Sequence, residues 1–254
     1  MKRLLLVLCC LFTCAGSAGG AFEFDDSEAA LPVGPAGLGG NPAPLASVQC
    51  WRWRTDHSQP FGLAQLASTG AALAVGRGSA GLGLGLRTTG FSLHREVSAW
   101  LAAAVALPAG IDLDVAATYA GLRQPGWRHQ QLGVIPGARL ELGSGLQLDI
   151  WYQRGDSVVP GKLFLGLHHR LDTTSVTRLH LRHSTTLATR ADLAAEQQLH
   201  PRLRLLVGLR THPRRFALGA VVRAGRRFVS YAGITHPYLG SSRIVTAGNT
   251  CSAP

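Results

Sequence analysis

Acidic residues are scarce in this chain: 14 Asp and Glu stand against 25 Lys and Arg in 254 residues. Cysteine is scarcer still where it could matter. Cys9, Cys10 and Cys14 lie in an apolar leader, and only Cys50 and Cys251 follow it. Two cysteines so far apart exclude both a disulfide-dense scaffold and a thiolate metal site of short spacing. After the leader there is no apolar run of about 18 residues, which excludes a helix that crosses a bilayer. No Gly-x-Ser-x-Gly element is present for a strand-borne nucleophile. The Gly-rich run over residues 76–85 lacks the Gly-Lys-Ser/Thr ending of a phosphate loop. These absences remove the usual signatures of catalysis, and the reading is of a protein that is not an enzyme and carries no cofactor and no metal.

The leader itself has a clear form. Met1-Lys2-Arg3 precedes an apolar stretch over residues 4–14, too short to span a membrane, and small residues follow from Ala15 to Ala21. This is the pattern of a cleaved signal peptide, residues 1–21, with Ala18 or Ala21 as the last residue removed. Phe12-Thr13 before Cys14 fits poorly with lipoprotein processing. Residues 22–46 are rich in Gly, Pro and Ala, with an acidic cluster at Glu23, Asp25, Asp26 and Glu28. They are read as an irregular N-terminal segment at a barrel mouth.

From Ser47 to Ala247 the dominant signal is a period of two. Leu203, Leu205, Val207 and Leu209 alternate with Arg202, Arg204 and Arg210. Leu82, Leu84 and Leu86 alternate with glycines, and Ile111, Leu113 and Val115 with Asp112 and Asp114. Leu146, Leu148 and Ile150 alternate with Gln147 and Asp149. Strands with one apolar and one charged face, repeated behind a secretion signal, describe an all-β, antiparallel transmembrane β-barrel. Breaker-rich joints over residues 55–60, 76–79, 87–90, 107–110, 122–127, 143–145, 154–161, 171–174, 184–186, 199–201, 211–213, 224–226 and 235–237 divide residues 47–247 into about fourteen strands. Residues 248–254 follow as a periplasmic tail. About 14 residues per strand and turn suits the roughly 9 to 11 that a tilted membrane strand needs. The alanine run over residues 99–106 could instead be helical, which would give twelve strands. The three longest joints, 55–60, 122–127 and 154–161, all fall at odd positions, on the external side if the first strand starts in the periplasm.

An Arg on a lipid-facing position near mid-bilayer costs about 2 to 4 kcal/mol. The charged faces, with Arg202, Arg204, Arg210, Asp112, Asp114, Glu141 and Asp149, are therefore expected to face the lumen. A lumen filled by an Arg-carboxylate network is favoured over an anion-selective channel. The basic excess is spread singly along strands and forms no compact patch, so nucleic acid is not an expected partner. Outer-membrane lipid is. Trp51, Trp53, Trp100, Trp127, Trp151, Tyr152 and Tyr238 are read as interfacial girdle residues. His168, His169, His180 and His183 invite a metal site, but His180 and His183 point to opposite faces of a strand. Closure must pair the first strand with the last, which brings Cys50 and Cys251 to one rim as a candidate disulfide.

Three stretches carry a family resemblance. Gly34-Pro35-Ala36-Gly37-Leu38 and Asn41-Pro42-Ala43-Pro44-Leu45-Ala46 resemble the Asn-Pro-Ala-Gly-Leu element that precedes the first strand of PorV/PorQ-like outer-membrane proteins, relatives of the FadL-type barrels. Residues 228–244, with Tyr231-Ala232, His236 and Leu239-Gly240, are similar to their closing hairpin, and Phe91-Ser92-Leu93-His94-Arg95-Glu96 to a mid-chain strand with a prominent Glu. The resemblance implies a barrel in the outer membrane of a Gram-negative bacterium after signal cleavage. It would be associated with protein export or cell-surface anchoring, with secretion-system proteins as partners, or be a channel for small apolar molecules. The contrasting reading is a soluble exported all-β binding protein with its apolar faces buried in a sandwich core.

Overall fold

A computed structural model describes residues 43–143, 145–154, 161–185, 189–211, 214–236 and 240–249. The expected signal peptide, most of the N-terminal segment, Tyr238 and the tail from residue 250 lie outside them. Fourteen antiparallel strands run in chain order and close on themselves: β1 Arg52–Gln59, β2 Ser68–Arg77, β3 Ala80–Phe91, β4 His94–Leu107, β5 Ile111–Gln124, β6 Trp127–Glu141 and β7 Leu146–Gln153. The ring continues with β8 Lys162–Arg170, β9 Ser175–Ser184, β10 Arg190–His200, β11 Leu203–Arg210, β12 Arg215–Ala224, β13 Arg227–His236 and β14 Gly240–Asn249. β1 pairs with β14 from Arg54↔Gly248 to Gln59↔Arg243, so no sheet edge is left at the seam.

Side-chain alternation drives the closure. The leucines and valines of the period-two faces are exposed on the outside, Leu84, Leu101, Val134, Leu193, Leu209 and Leu218 among them. Water would make that exterior unfavourable; the acyl interior of a bilayer favours it. A sandwich would have buried these faces between two sheets, and a single closed sheet does not, which sets aside the soluble reading.

Several boundaries differ from the sequence expectation. The barrel starts at Arg52 rather than Ser47 and runs to Asn249 rather than Ala247. Residues 55–59 are not a joint but the second half of β1: Asp56 and Ser58 are polar because they face inward, and polarity marks a lumen face as readily as a turn. The alanine run over residues 99–106 lies within β4, whose inward Ala102 and Ala104 are buried and whose outward Leu101 is exposed. The joint expected at residues 122–127 shrinks to a tight turn at Pro125 and Gly126, where Gly126 takes φ +74°. The two longest intervals between strands are flanked by Gln59 and Ser68 and by Gln153 and Lys162, and these strand ends lie at the rim opposite the one that carries the start of β1 and the end of β14.

The wall is uneven. β4, β5 and β6 have 14, 14 and 15 residues, whereas β7 has 8. β6 pairs with β7 only over residues 137–141, and Pro136, which has no N–H to give a ladder, stands at the first position beyond that pairing.

Candidate functional site

The candidate site is the lumen, and its two halves differ in chemistry. Over β2–β5 the inward positions are small: Ala72, Ala74 and Gly76, then Gly81, Gly83 and Gly85, then Ala102, Ala104 and Ala106, then Ala116. A short 3-10 helix, Ala43–Ser47, lies inside the barrel against this wall, with Leu45, Ala46 and Val48 fully buried. The fit depends on missing side chains. A Cβ at Gly81 would run into the carbonyl of Leu45, one at Gly76 into that of Val48, and one at Gly83 would come within 2.9 Å of Leu45 Cδ1. The glycines that separate Leu82, Leu84 and Leu86 are thus a seat for the N-terminal chain, something alternation alone cannot show.

Trp100 belongs to this wall and not to the interfacial girdle. It shares the even-numbered inward face of β4 with Glu96, Ala102 and Ala104, and it sits directly opposite Gly85, where a Cβ would meet its indole at 2.5 Å. Trp151 likewise points inward from β7, on the face of Asp149, and stacks on Phe164 with ring centroids 5.2 Å apart. Trp51 and Tyr152 are exposed on the exterior, and Trp127 stands at the far rim stacked on His129.

The opposite half is ionic, built on a repeated device. A carboxylate on one strand is held between basic side chains from its neighbours. Asp149 on β7 accepts from Nε of Arg139 on β6 at 2.8 Å and lies 3.3 Å from Nε2 of His168 on β8. Asp192 on β10 takes Arg210 of β11 and, at 3.7 Å, Arg182 of β9. Glu196, also on β10, takes Arg178 of β9 at 3.0 Å and Arg204 of β11. Asp56 reaches further: it bonds Arg87 of β3 at 2.9 Å across β2. That reach exists because Gly70 stands between them in register, Asp56↔Gly70↔Arg87, and offers no side chain. A Cβ there would sit 2.9 Å from Asp56 Oδ1.

The residues nominated from sequence are distributed as follows. Arg204 and Arg210 point inward and enter this network, as does Asp149; Asp114 is buried over Gly137, and Asp112 faces the same way near the terminal rim. Glu141 stands exposed at that rim. Arg202 does not belong to the set: the chain reverses at Pro201 and Arg202, and its side chain is exposed in the turn. Asp56, Asp192 and Glu196, with their partners Arg87, Arg178 and Arg182, were not nominated from the sequence, although each sits at a polar position of an alternating strand. Cys50 is disulfide-bonded. Cys251, the partner expected for it, lies outside the described residues.

Of the four histidines considered for metal, His168 and His180 converge in the lumen with Nε2 atoms 3.1 Å apart, while His169 and His183 occupy outward positions. Among the described residues no group of three His, Cys, Asp or Glu is placed to hold an ion. The pair instead continues an aromatic column, with His180 4.9 Å from the Phe164 ring and Arg182 lying 5.7 Å over that ring.

A third lumen surface closes the ring. Leu206, Ala217, Val221, Phe228, Ala232, Ile234 and Ile244, inward residues of β11–β14, form one buried apolar cluster that runs from one rim toward the other. An aqueous pore would line such positions with polar groups. Here Leu206 and Thr246 are at most 2 % exposed, as are Asp192 and Arg210 near the end of β11, so these parts of the inner wall are closely packed.

No protein-family model matches the chain, and no curated protein matches it in sequence. Solved structures do match in fold. The monoaromatic hydrocarbon channel CymD aligns over 86% of this chain and 92% of its own, with a TM-score of 0.62 at 11% identity. The toluene transporter TbuX of Ralstonia pickettii aligns over 85% and 92%, with 0.61 at 10% identity. The toluene transporter TodX of P. putida aligns over 87% and 95%, with 0.59 at 12% identity. The chain therefore shares the closed β-barrel fold of these proteins.

Proposed function

We propose that this protein is an outer-membrane channel for small apolar molecules, oriented with the termini in the periplasm. The observation that carries the reading is the buried apolar strip along β11–β14, on inward positions where a wide water-filled pore would place polar groups. An apolar solute gains about 25 cal/mol for each Å² of surface it removes from water, and an apolar strip offers that gain along its length. The orientation is supported by the strand ends that flank the longest intervals, Gln59 and Ser68 and Gln153 and Lys162, lying at the rim away from the start of β1 and the end of β14. The likeness to hydrocarbon channels in fold agrees with the chemistry of the strip. The export role implied by the PorV/PorQ resemblance rests on residues 34–46, 91–96 and 228–244, and nothing in the described lumen adds to it.

The test is uptake of radiolabelled toluene by outer-membrane vesicles that contain the protein. Wild type should exceed empty vesicles, and Leu206→Asp with Phe228→Asp should lower uptake while heat-modifiable migration in unboiled detergent gels is kept. Toluene uptake no faster than in empty vesicles would remove the channel reading.

A further inference from the structure

Three arginines of the outer wall meet in a way the transport reading does not use. Arg95 of β4 pairs directly with Arg123 of β5, and Arg123 pairs directly with Arg128 of β6. Paired residues of an antiparallel sheet share a face, and this face is the exterior: the inward positions of these strands are Glu96, Leu122 and His129. All three arginines are exposed, and among the described residues none has a carboxylate partner. Like charges directly opposite one another destabilise a sheet, so such an arrangement calls for an anion from outside the chain.

Their height says which anion. Below the arginines the exterior of the same strands reads, row by row in register, Val97-Gly121-Gln130, Ala99-Tyr119-Leu132, Leu101-Ala117-Val134, Ala103-Val115-Pro136, Val105-Leu113-Ala138 and Leu107-Ile111-Leu140. From Leu107 to Arg95 is twelve residues, or about 41 Å of strand at ~3.4 Å each. With a tilt of about 40° that is a height of about 31 Å, against an apolar band of about 25 Å. The arginine row therefore lies just above the acyl region, at the level of lipid headgroups on the far, external side. At their other ends the same strands present Leu107, Ile111 and Leu140, with no charge.

We propose that Arg95, Arg123 and Arg128 form a binding site for an outer-leaflet glycolipid that carries two phosphate groups. Guanidinium groups pair with phosphate oxygens through two parallel N–H donors each, and three of them side by side match a headgroup with more than one phosphate better than a single charge. The site rests on the barrel spanning the outer membrane with this rim outward, and it stands whether or not the lumen carries toluene.

The probe is diphosphoryl lipid A, titrated into the detergent-solubilised, folded protein and read as retained lipid by native mass spectrometry. Monophosphoryl lipid A and phosphatidylglycerol serve as comparisons. Wild type should retain one diphosphorylated lipid and hold the other two more weakly. Each arginine replaced by Gln should weaken retention about tenfold, and R95Q/R123Q/R128Q should abolish it at the same concentrations. R77Q/R227Q, which removes exposed cations at the terminal rim, should leave retention unchanged. If the triple variant does not show the heat-modifiable migration of a folded barrel, the three single variants decide. Unchanged retention in all three, equal retention of phosphatidylglycerol by wild type, or an equal loss in R77Q/R227Q would each overturn the assignment.

Discussion

Replacing Asp192 by Asn tests the claim that the lumen behaves as a protein interior. Asp192 and Arg210 are each 1 % exposed, and their ion pair crosses from β10 to β11 opposite Arg182, whose side chain retains 22 % exposure. Asn keeps the shape and removes the charge, so Arg210 is left with its cation buried and its strongest acceptor gone. Breaking a buried pair from one side typically costs about 3 to 5 kcal/mol. With a guanidinium m-value of about 4 kcal/mol/M, a typical figure for small proteins, the unfolding midpoint should fall by about 1 M. The assay is guanidinium unfolding of the protein in liposomes, followed by tryptophan fluorescence and by heat-modifiable migration. Asp192→Leu combined with Arg210→Met should lie close to wild type, because an apolar pair of similar volume avoids both desolvation penalties. Arg182 can turn to solvent and does not obstruct that rescue. A single-variant shift below about 0.2 M, or a double variant as unstable as the single, would show that the lumen at this level is wet and that the pair is screened as a surface bridge would be.

Three further outcomes follow from particular contacts. Gly85→Leu places side-chain carbon where Trp100 lies, at 2.5 Å from its indole, and overpacking of that kind costs about 1 to 3 kcal/mol; a red-shifted tryptophan emission and faster proteolysis of the N-terminal segment should accompany it, and unchanged values would deny the contact. Asp172, in the turn between β8 and β9, is held well below the usual carboxylate range, at about 2, first by the Thr174 hydroxyl and the Thr174 N–H and then by Ser175. A depressed carboxyl stabilises fully above its ordinary value and loses that contribution as pH falls toward about 2. Hydrogen exchange of the Thr174 and Ser175 amides should therefore quicken between about pH 4 and pH 2 beyond its intrinsic change, and D172N should lose that excess. Thiol labelling of the unreduced, denatured mature protein should find no free cysteine. If Cys251 is the partner of Cys50, the closed loop of about 200 residues corresponds to about 5 kcal/mol on the chain-entropy model, so C50S should lower stability markedly.

How much was legible in the sequence differs from residue to residue. The inward direction of Arg204 and Arg210 followed from parity, because a strand turns every second side chain to the same face. Arg202 has the same parity and was misplaced, since parity holds only while the strand continues and the chain turns at Pro201 and Arg202. Trp100 and Trp151 were assigned to the girdle by residue type, yet the inward parity of Ala102 and Asp149 already fixed their side of the wall. The seat of the N-terminal helix left a trace as the glycines at 81, 83 and 85, without any indication of what they made room for.

By itself the sequence determined the period of two, the apolar exterior and hence a barrel of about fourteen strands, because these depend on local alternation and on the length of strand a bilayer requires. Only the tertiary structure decided which positions stand opposite one another. Register between strands is set by turn geometry and by closure of the ring, not by the pattern along any one of them. That register places Gly70 between Asp56 and Arg87, brings His168 beside His180, and aligns Arg95, Arg123 and Arg128 across three strands, and so it decided every candidate site named here.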